Sequence, residues 1–211
     1  MTRSLPHSDR TYGQYCPIAA GLDLVGDRWT LLICRELALG DRRYTDLCRA
    51  LDGIAPNLLS DRLRMLQDAG LVTAAELPPP AARSVYRLTD DGRQIIPVLR
   101  AMARFGVRYL DGEPDEEMSA ARAANALLLP WRRPIDADLR VRLEVGESRV
   151  DIVLHGRETN LETVEGEADV VMTTDSPSLV RARQGEPLDA EISGSRAAKK
   201  ELLEVFALKT P

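Results

Sequence analysis

Ile54-Ala-Pro-Asn-Leu-Leu-Ser-Asp-Arg-Leu-Arg-Met-Leu-Gln-Asp-Ala-Gly-Leu71 is the stretch whose reading decides the fold. On a helical wheel it separates into two faces. Leu59, Leu63 and Leu66 follow the i, i+4, i+7 spacing and share one of them. Asn57, Ser60, Asp61, Arg64 and Asp68 fall on the other. Pro56 suits a first helical turn and Gly70 a stop, so the pattern predicts a helix over 55–69. An amide, a hydroxyl and a guanidinium on one face can read base edges in a major groove. Upstream, 44–51 is a second short amphipathic unit. Downstream, 71–77 and 84–88 read as strands around Pro78-Pro79-Pro80, whose missing N–H groups keep them out of a ladder. The order is helix, turn, helix, wing.

Working outward, residues 16–26 and 27–39 read as helices, with Trp29, Leu32, Ile33 and Leu37 expected on one face of the second. Gly40-Asp41 breaks it. Arg43, Tyr44 and Thr45 open the next helix, where backbone N–H groups and a cation favour phosphate. Arg64 can bond bidentately to guanine and Asn57 to adenine. Ser60 can serve a base or a phosphate. Asp61 repels phosphate, so it either accepts from a cytosine amino group or braces Arg62 or Arg64. Arg83, at the wing tip, can enter a minor groove. A long helix capped by Thr89 is expected to run to about Tyr109. Its Ile95, Val98, Met102, Phe105 and Tyr109, spaced 3, 4, 3, 4, form a short coiled-coil-like seam. Pro97 should kink it. From Val98 through Tyr109 the seam either packs on its own domain or pairs with a second copy.

Composition bounds the rest. The chain has 211 residues, enough for one large or two small domains, and 44% hydrophobic residues support a core. Only 4% are aromatic, so the core must be mostly aliphatic. No apolar run reaches the roughly 18 residues of a membrane span, and residues 1–25 lack a signal-peptide pattern. Three cysteines without a C-x-x-C pair fit a reduced, cytoplasmic protein with neither disulfides nor a zinc site. The net charge of −5 is unevenly spread: residues 1–110 carry +3 and residues 111–211 carry −8. A sign change between halves suggests two tasks. The first half contains no lysine, so its basic contacts must come from arginine.

The acidic stretch Asp111-Gly-Glu-Pro-Asp-Glu-Glu117 reads as a linker. Beyond it, 119–129 reads as a helix, 139–145 and 150–155 as a hairpin about Gly146-Glu147, and 168–174 as a further strand. Residues 177–183 and 195–208 read as helices. The expected fold class is α+β. Residues 1–110 form a mainly α winged helix-turn-helix with a β-hairpin wing, 111–118 a linker, and 119–211 a smaller α+β domain.

Residues 16 to about 110 resemble the HxlR-type winged-helix transcriptional regulators of bacteria, relatives of the MarR group. The residues that carry the resemblance are Cys16-Pro17, Gly26-Asp27-Arg28-Trp29-Thr30-Leu31-Leu32-Ile33, Arg35-Glu36-Leu37, Arg43-Tyr44-Thr45-Asp46-Leu47, Ile54 through Leu71, and Tyr86-x-Leu88-Thr89-x-x-Gly92-Arg93. The resemblance implies double-stranded DNA binding as a homodimer, with Arg43, Tyr44, Thr45, Pro56, Asn57, Ser60, Asp61, Arg64 and Arg83 at the DNA. The chain departs from the family at Ala55, where Ser or Thr often caps the recognition helix; losing such a cap costs about 1 kcal/mol. Some members use a cysteine at the position of Cys16 as an oxidant sensor, which makes a thiol redox-sensing regulator one alternative.

More loosely, residues 119–211 resemble the sterol carrier protein domain. The shared features are the strand pair around Gly146-Glu147, the Ala168–Met172 strand, the 176–184 helix and the Glu191–Gly194 approach to a closing helix. This implies a hydrophobic small-molecule effector, with Trp131 and Phe206, the only aromatics of that half, as candidate lining residues. A lipid carrier that uses its N-terminal half only to dimerise is the other alternative. Catalysis is not expected. His7 and His155 lack ligand spacing, no nucleophile-elbow, zincin, phosphate-loop or dinucleotide motif occurs, and no metal or cofactor is implied.

Overall fold

The computed structural model describes residues 11–76, 84–110, 118–156, 158–162, 164 and 166–211. The chain divides into two compact units, Met1–Leu99 and Arg100–Pro211. The expected linker 111–117 and the wing tip with Arg83 lie outside the described residues.

The first unit opens with α1 (Pro17–Val25), α2 (Thr30–Ala38), α3 (Tyr44–Ala50) and α4 (Pro56–Asp68). The antiparallel hairpin β1 (Val72–Glu76) and β2 (Ser84–Leu88) follows, in the register Val72↔Leu88. Arg42 bridges to Tyr86 by two backbone hydrogen bonds, so the α2–α3 connection adds a third short piece to the hairpin. Leu59, Leu63 and Leu66 of α4 are buried with Ile33, Leu37, Leu47, Val72 and Leu88 in an aliphatic core. At roughly 1.5–3 kcal/mol per fully buried side chain, the three α4 leucines hold that helix in place despite its uncapped start at Ala55. Two expectations for α2 are corrected. Trp29 precedes the helix in the left-handed region at φ 79°, and Leu32 is exposed, so only Ile33 and Leu37 of the expected four lie buried on one face.

Thr89 caps a helix as expected, its hydroxyl accepting from Gly92 N at 3.0 Å. The helix does not run on to Tyr109, however. It splits into α5 (Asp90–Arg93) and α6 (Ile96–Gly106), followed by a 3-10 turn, Val107–Tyr109. Pro97 causes the break, because it has no N–H for the bond back to residue 93 and it suits the first turn of a new helix. Gly92 is required for packing, since a Cβ there would overlap the carbonyl oxygen of Leu71.

The second unit begins with α7 (Ala120–Ala123), which widens into a π turn, Ala124–Leu128, and a 3-10 turn, Leu129–Trp131, instead of one regular helix. A five-stranded sheet follows in the order β5-β4-β3-β6-β7. Its strands are β3 (Ala137–Val145), β4 (Ser148–Gly156), β5 (Glu158–Glu162), β6 (Val170–Thr174) and β7 (Glu191–Gly194). β3 and β4 form the expected hairpin at Gly146-Glu147, with Gly146 at φ +57°. β3 pairs parallel with β6, and the outer pairs are antiparallel. The sequence pattern does not announce β5 and β7. Each is an edge strand of four or five mostly polar residues, too short for a period-two pattern. α8 (Ser176–Gln184) connects β6 to β7, and α9 (Arg196–Val205) follows β7.

β3 alternates strictly. Ala137, Leu139, Val141, Leu143 and Val145 are buried in the core with Leu128, Leu179, Leu202 and Phe206. The intervening Asp138, Arg140, Arg142 and Glu144 lie on the opposite face. There Asp151, fully buried, is gripped by Arg140 at 3.1 Å and by Arg142 at 2.9 Å, and its hydrogen bonds raise the pKa of both arginines. A carboxylate so placed survives burial because both oxygens are paired.

Candidate nucleic-acid interface

The C-terminal end of α3 and the start of α4 are separated by Leu51 to Ala55, a turn containing Gly53 at φ +83°. Tyr44 Oη donates to the Pro56 carbonyl at 2.7 Å, tying the first turn of α3 to the first turn of α4. Ser60 Oγ lies 3.0 Å from the same carbonyl and 3.2 Å from Tyr44 Oη. Both hydroxyls therefore serve the joint between the helices, and Ser60 is not presented to solvent as an isolated reader. Pro56 supplies the accepting carbonyl and is itself exposed.

Asn57, Asp61 and Arg64 stand on the exposed face of α4. Arg64 Nη1 lies 3.4 Å from Asp61 Oδ1, with side chains 71% and 59% exposed, so Asp61 braces Arg64. Arg62 turns elsewhere and pairs at 3.0 Å with Asp27 in the α1–α2 connection. Gln67 is also exposed, three positions beyond Arg64, and extends this face by a second amide. The helical spacing 57, 60, 64, 67 identifies it.

At the start of α3, Arg43 N–H donates to the Asp46 carboxylate at 3.1 Å. Only this half of a capping box is available, because a guanidinium has no acceptor to offer in return. Thr45 is exposed and Arg43 half-buried, beside N–H groups of the first turn. Arg87 on β2 pairs with Asp41, which steadies the hairpin against the α2–α3 connection. Among the described residues, no group of three His, Cys, Asp or Glu side chains is arranged to hold a metal. No helix there is long and apolar enough to cross a membrane.

The seam residues Val98, Met102, Phe105 and Tyr109 are 46–68% exposed. Ile95 alone turns inward, onto the core of the first unit. Phe105 and Tyr109 stack at 5.1 Å between ring centroids, and Arg108 lies over both rings. Ile18 and Leu22 leave a second apolar stripe exposed on α1.

In the second unit Phe206 is wholly buried in the aliphatic core, while Trp131 is half-buried against it. Arg183 lies over Trp131 at 4.6 Å and donates to the carbonyls of Leu127 and Phe206. It thus caps two helix ends at once, and burial pushes its guanidinium down to about 10. Cys16 precedes α1 and is half-buried. Cys34 is buried, and desolvation pushes its thiol up to about 12.

A two-helix unit joined by a tight turn, a hairpin behind it, and an exposed polar face on the second helix define a winged helix-turn-helix protein. The model of the HxlR-like helix-turn-helix family matches residues 24–114. The chain is 36% identical over 125 residues to an HTH-type transcriptional regulator of Synechocystis, covering 55% of this chain and 93% of that protein. It therefore belongs to the HxlR-like helix-turn-helix family. It is also 42% identical over 93 residues to an HTH-type transcriptional regulator of Mycobacterium bovis, covering 44% of this chain and 58% of that protein. A solved MarR-family structure from Porphyromonas gingivalis is 31% identical, with a TM-score of 0.44, over 48% of this chain and 99% of its own. The family and these relatives are transcriptional regulators, not enzymes.

Proposed function

We propose that this protein is a cytoplasmic transcriptional regulator that binds specific double-stranded DNA as a homodimer. The observation that carries the reading is the exposed Asn57, Asp61, Arg64 and Gln67 face of α4, held rigid by the Tyr44–Pro56 tie and the buried leucines. Asn57 and Arg64 enter the major groove. Arg43 and Thr45 contact phosphate at the start of α3, and Arg83 reaches the minor groove. Apposition of the exposed α6 seam, Val98, Met102, Phe105 and Tyr109, makes the dimer. It sets two recognition helices roughly 34 Å apart on a palindromic site.

The C-terminal domain, residues 119–211, is a sterol-carrier-type module that receives a hydrophobic effector beside Trp131. A sheet with helices along one face supports this reading, as does a charge that makes the domain a poor DNA partner. Such a ligand acts only through its different affinities for two arrangements of the dimer. Selection of bound sequences from a random duplex pool, read by sequencing, tests the central claim. Enrichment of one palindrome is expected, and retention without enrichment overturns it. A thermal-shift screen of apolar acids, sterols and acyl compounds tests the effector. The lipid-carrier alternative predicts ligand shifts with no salt-dependent DNA retention.

A further inference from the structure

Arg100 is a half-buried guanidinium that makes no hydrogen bond or ion pair among the described residues, and its Nε is shut away from water without a partner. Among the described residues, the charged groups in range of it are two more arginines, Arg104 and Arg132, and burial together with their repulsion lowers its pKa. Arg100 and Arg104 are four apart on α6 and share a face. Arg104 Nη1 donates to the carbonyl of Pro130, which fixes that face against the 3-10 turn Leu129–Trp131. Directly after this turn comes Arg132. It is anchored through Nη1 to the Arg133 carbonyl at 2.7 Å and through Nη2 to the Gly156 carbonyl at 2.9 Å, while its own Nε is buried and unpartnered. Asp136 acts on Arg132. No carboxylate among the described residues acts on Arg100.

Elsewhere in this unit Asp151 pairs with Arg140 and Arg142, and Arg183 donates to two carbonyls and lies over a ring, although its Nη2 is also buried without a partner. Three like charges gathered with two unsatisfied buried donors are costly without an anion. Guanidinium forks match the two oxygens of a carboxylate or phosphate. We propose that Arg100, Arg104 and Arg132 form an anion-binding site of the C-terminal unit, taking the carboxylate or phosphate group of a small molecule. Arg132 and Arg104 are held in place by backbone carbonyls, and Arg100 is the uncommitted fork that closes on the ligand. The site rests on the regulator reading only for what its ligand controls.

The test uses the full chain without DNA, so its failure is separate from failure of the DNA-binding reading. Thermal midpoints are measured against rising inorganic phosphate and, separately, citrate, with ionic strength held constant by chloride. The midpoint is expected to climb by several degrees with phosphate or citrate but not with chloride. A response to phosphate alone assigns a phosphate-bearing ligand, and a response to citrate alone a carboxylate-bearing one. Arg100→Gln should abolish the climb and, with no ligand, melt at or above the wild-type temperature, because no hydrogen bond or ion pair among the described residues is lost. Arg100→Lys, which keeps charge but not the fork, should retain a weakened response. Equal midpoints in all three salts overturn the site. So does an Arg100→Gln chain that melts well below wild type without ligand, since that marks a packing role. If only the DNA affinity of Arg100→Gln falls, the cluster is a duplex-phosphate contact and the small-molecule site is refuted.

Discussion

Arg64 is held by Asp61 rather than by the core, so it can swing to a base without dismantling the helix. Arg64→Ala should weaken specific binding by about 1–3 kcal/mol and relax one base position. Titrating the variant against selected and scrambled duplexes checks this, and wild-type affinity for both would remove Arg64 from the readers. Cys34 makes a second prediction. Its thiol stays protonated in the folded chain to about pH 12 but ionises near 9 when unfolded. The folded state therefore holds more protons above pH 9, and stability falls as pH rises. Between pH 9 and 10 the loss is at most about 1.4 kcal/mol per unit. Denaturant melts of wild type and Cys34→Ala should show the shallower slope in the variant. Identical slopes would mean that Cys34 ionises normally in the fold.

At the scale of elements, α6 carries the larger apolar face, Val98, Met102 and Phe105, that stays exposed among the described residues. Phe105→Glu and Met102→Glu replace exposed side chains, so each should leave the melting temperature of the fold within a few degrees while shifting sedimentation toward monomer. A dimer that survives both substitutions places the interface elsewhere. α8 depends on its cap. Burial raises the Asp175 pKa, but the Ser178 N–H at 2.6 Å and Arg181 outweigh it and hold the carboxylate below its usual range. Asp175→Ala should cost about 1 kcal/mol. This contribution is present above the unfolded pKa near 3.9 and fades as pH falls through the lower folded value, so the two chains should converge in stability in strong acid.

For the whole molecule, the charge division sets the expectation. Residues 111–211 carry −8 of the net −5. A chain ending at residue 110 should bind nonspecific duplex more tightly than the full chain at low salt, and the gap should close as salt screens the repulsion. The truncation has a cost at its end. Val107 is buried in the core of the second unit, so the last turn of α6 loses its packing and should fray. Equal nonspecific affinity at low salt would show that the acidic half does not oppose DNA.

Local pattern was enough to place most of this protein. The leucine spacing of α4, the strand pair around three prolines, the Thr89 cap and the Gly146 hairpin are short-range signals, each satisfied by neighbours within a few residues, and together they make the winged helix-turn-helix readable. The face of α4 that carries Asn57, Asp61 and Arg64 followed from the same periodicity. Tertiary structure decided what depends on distant partners. Leu32 is exposed because the α2 core face is set by where Ile33 and Leu37 meet Leu59 and Leu63, not by composition. β5 and β7 exist because β4 and β6 offer them unpaired edges, which no pattern within four or five polar residues announces. Ser60 and Tyr44 are committed to the helix joint because Pro56 brings a carbonyl between them. Arg100, Arg104 and Arg132 become a cluster only when α6 is tied to the turn at Pro130. Periodicity assigns a residue to a face; only packing decides what that face meets.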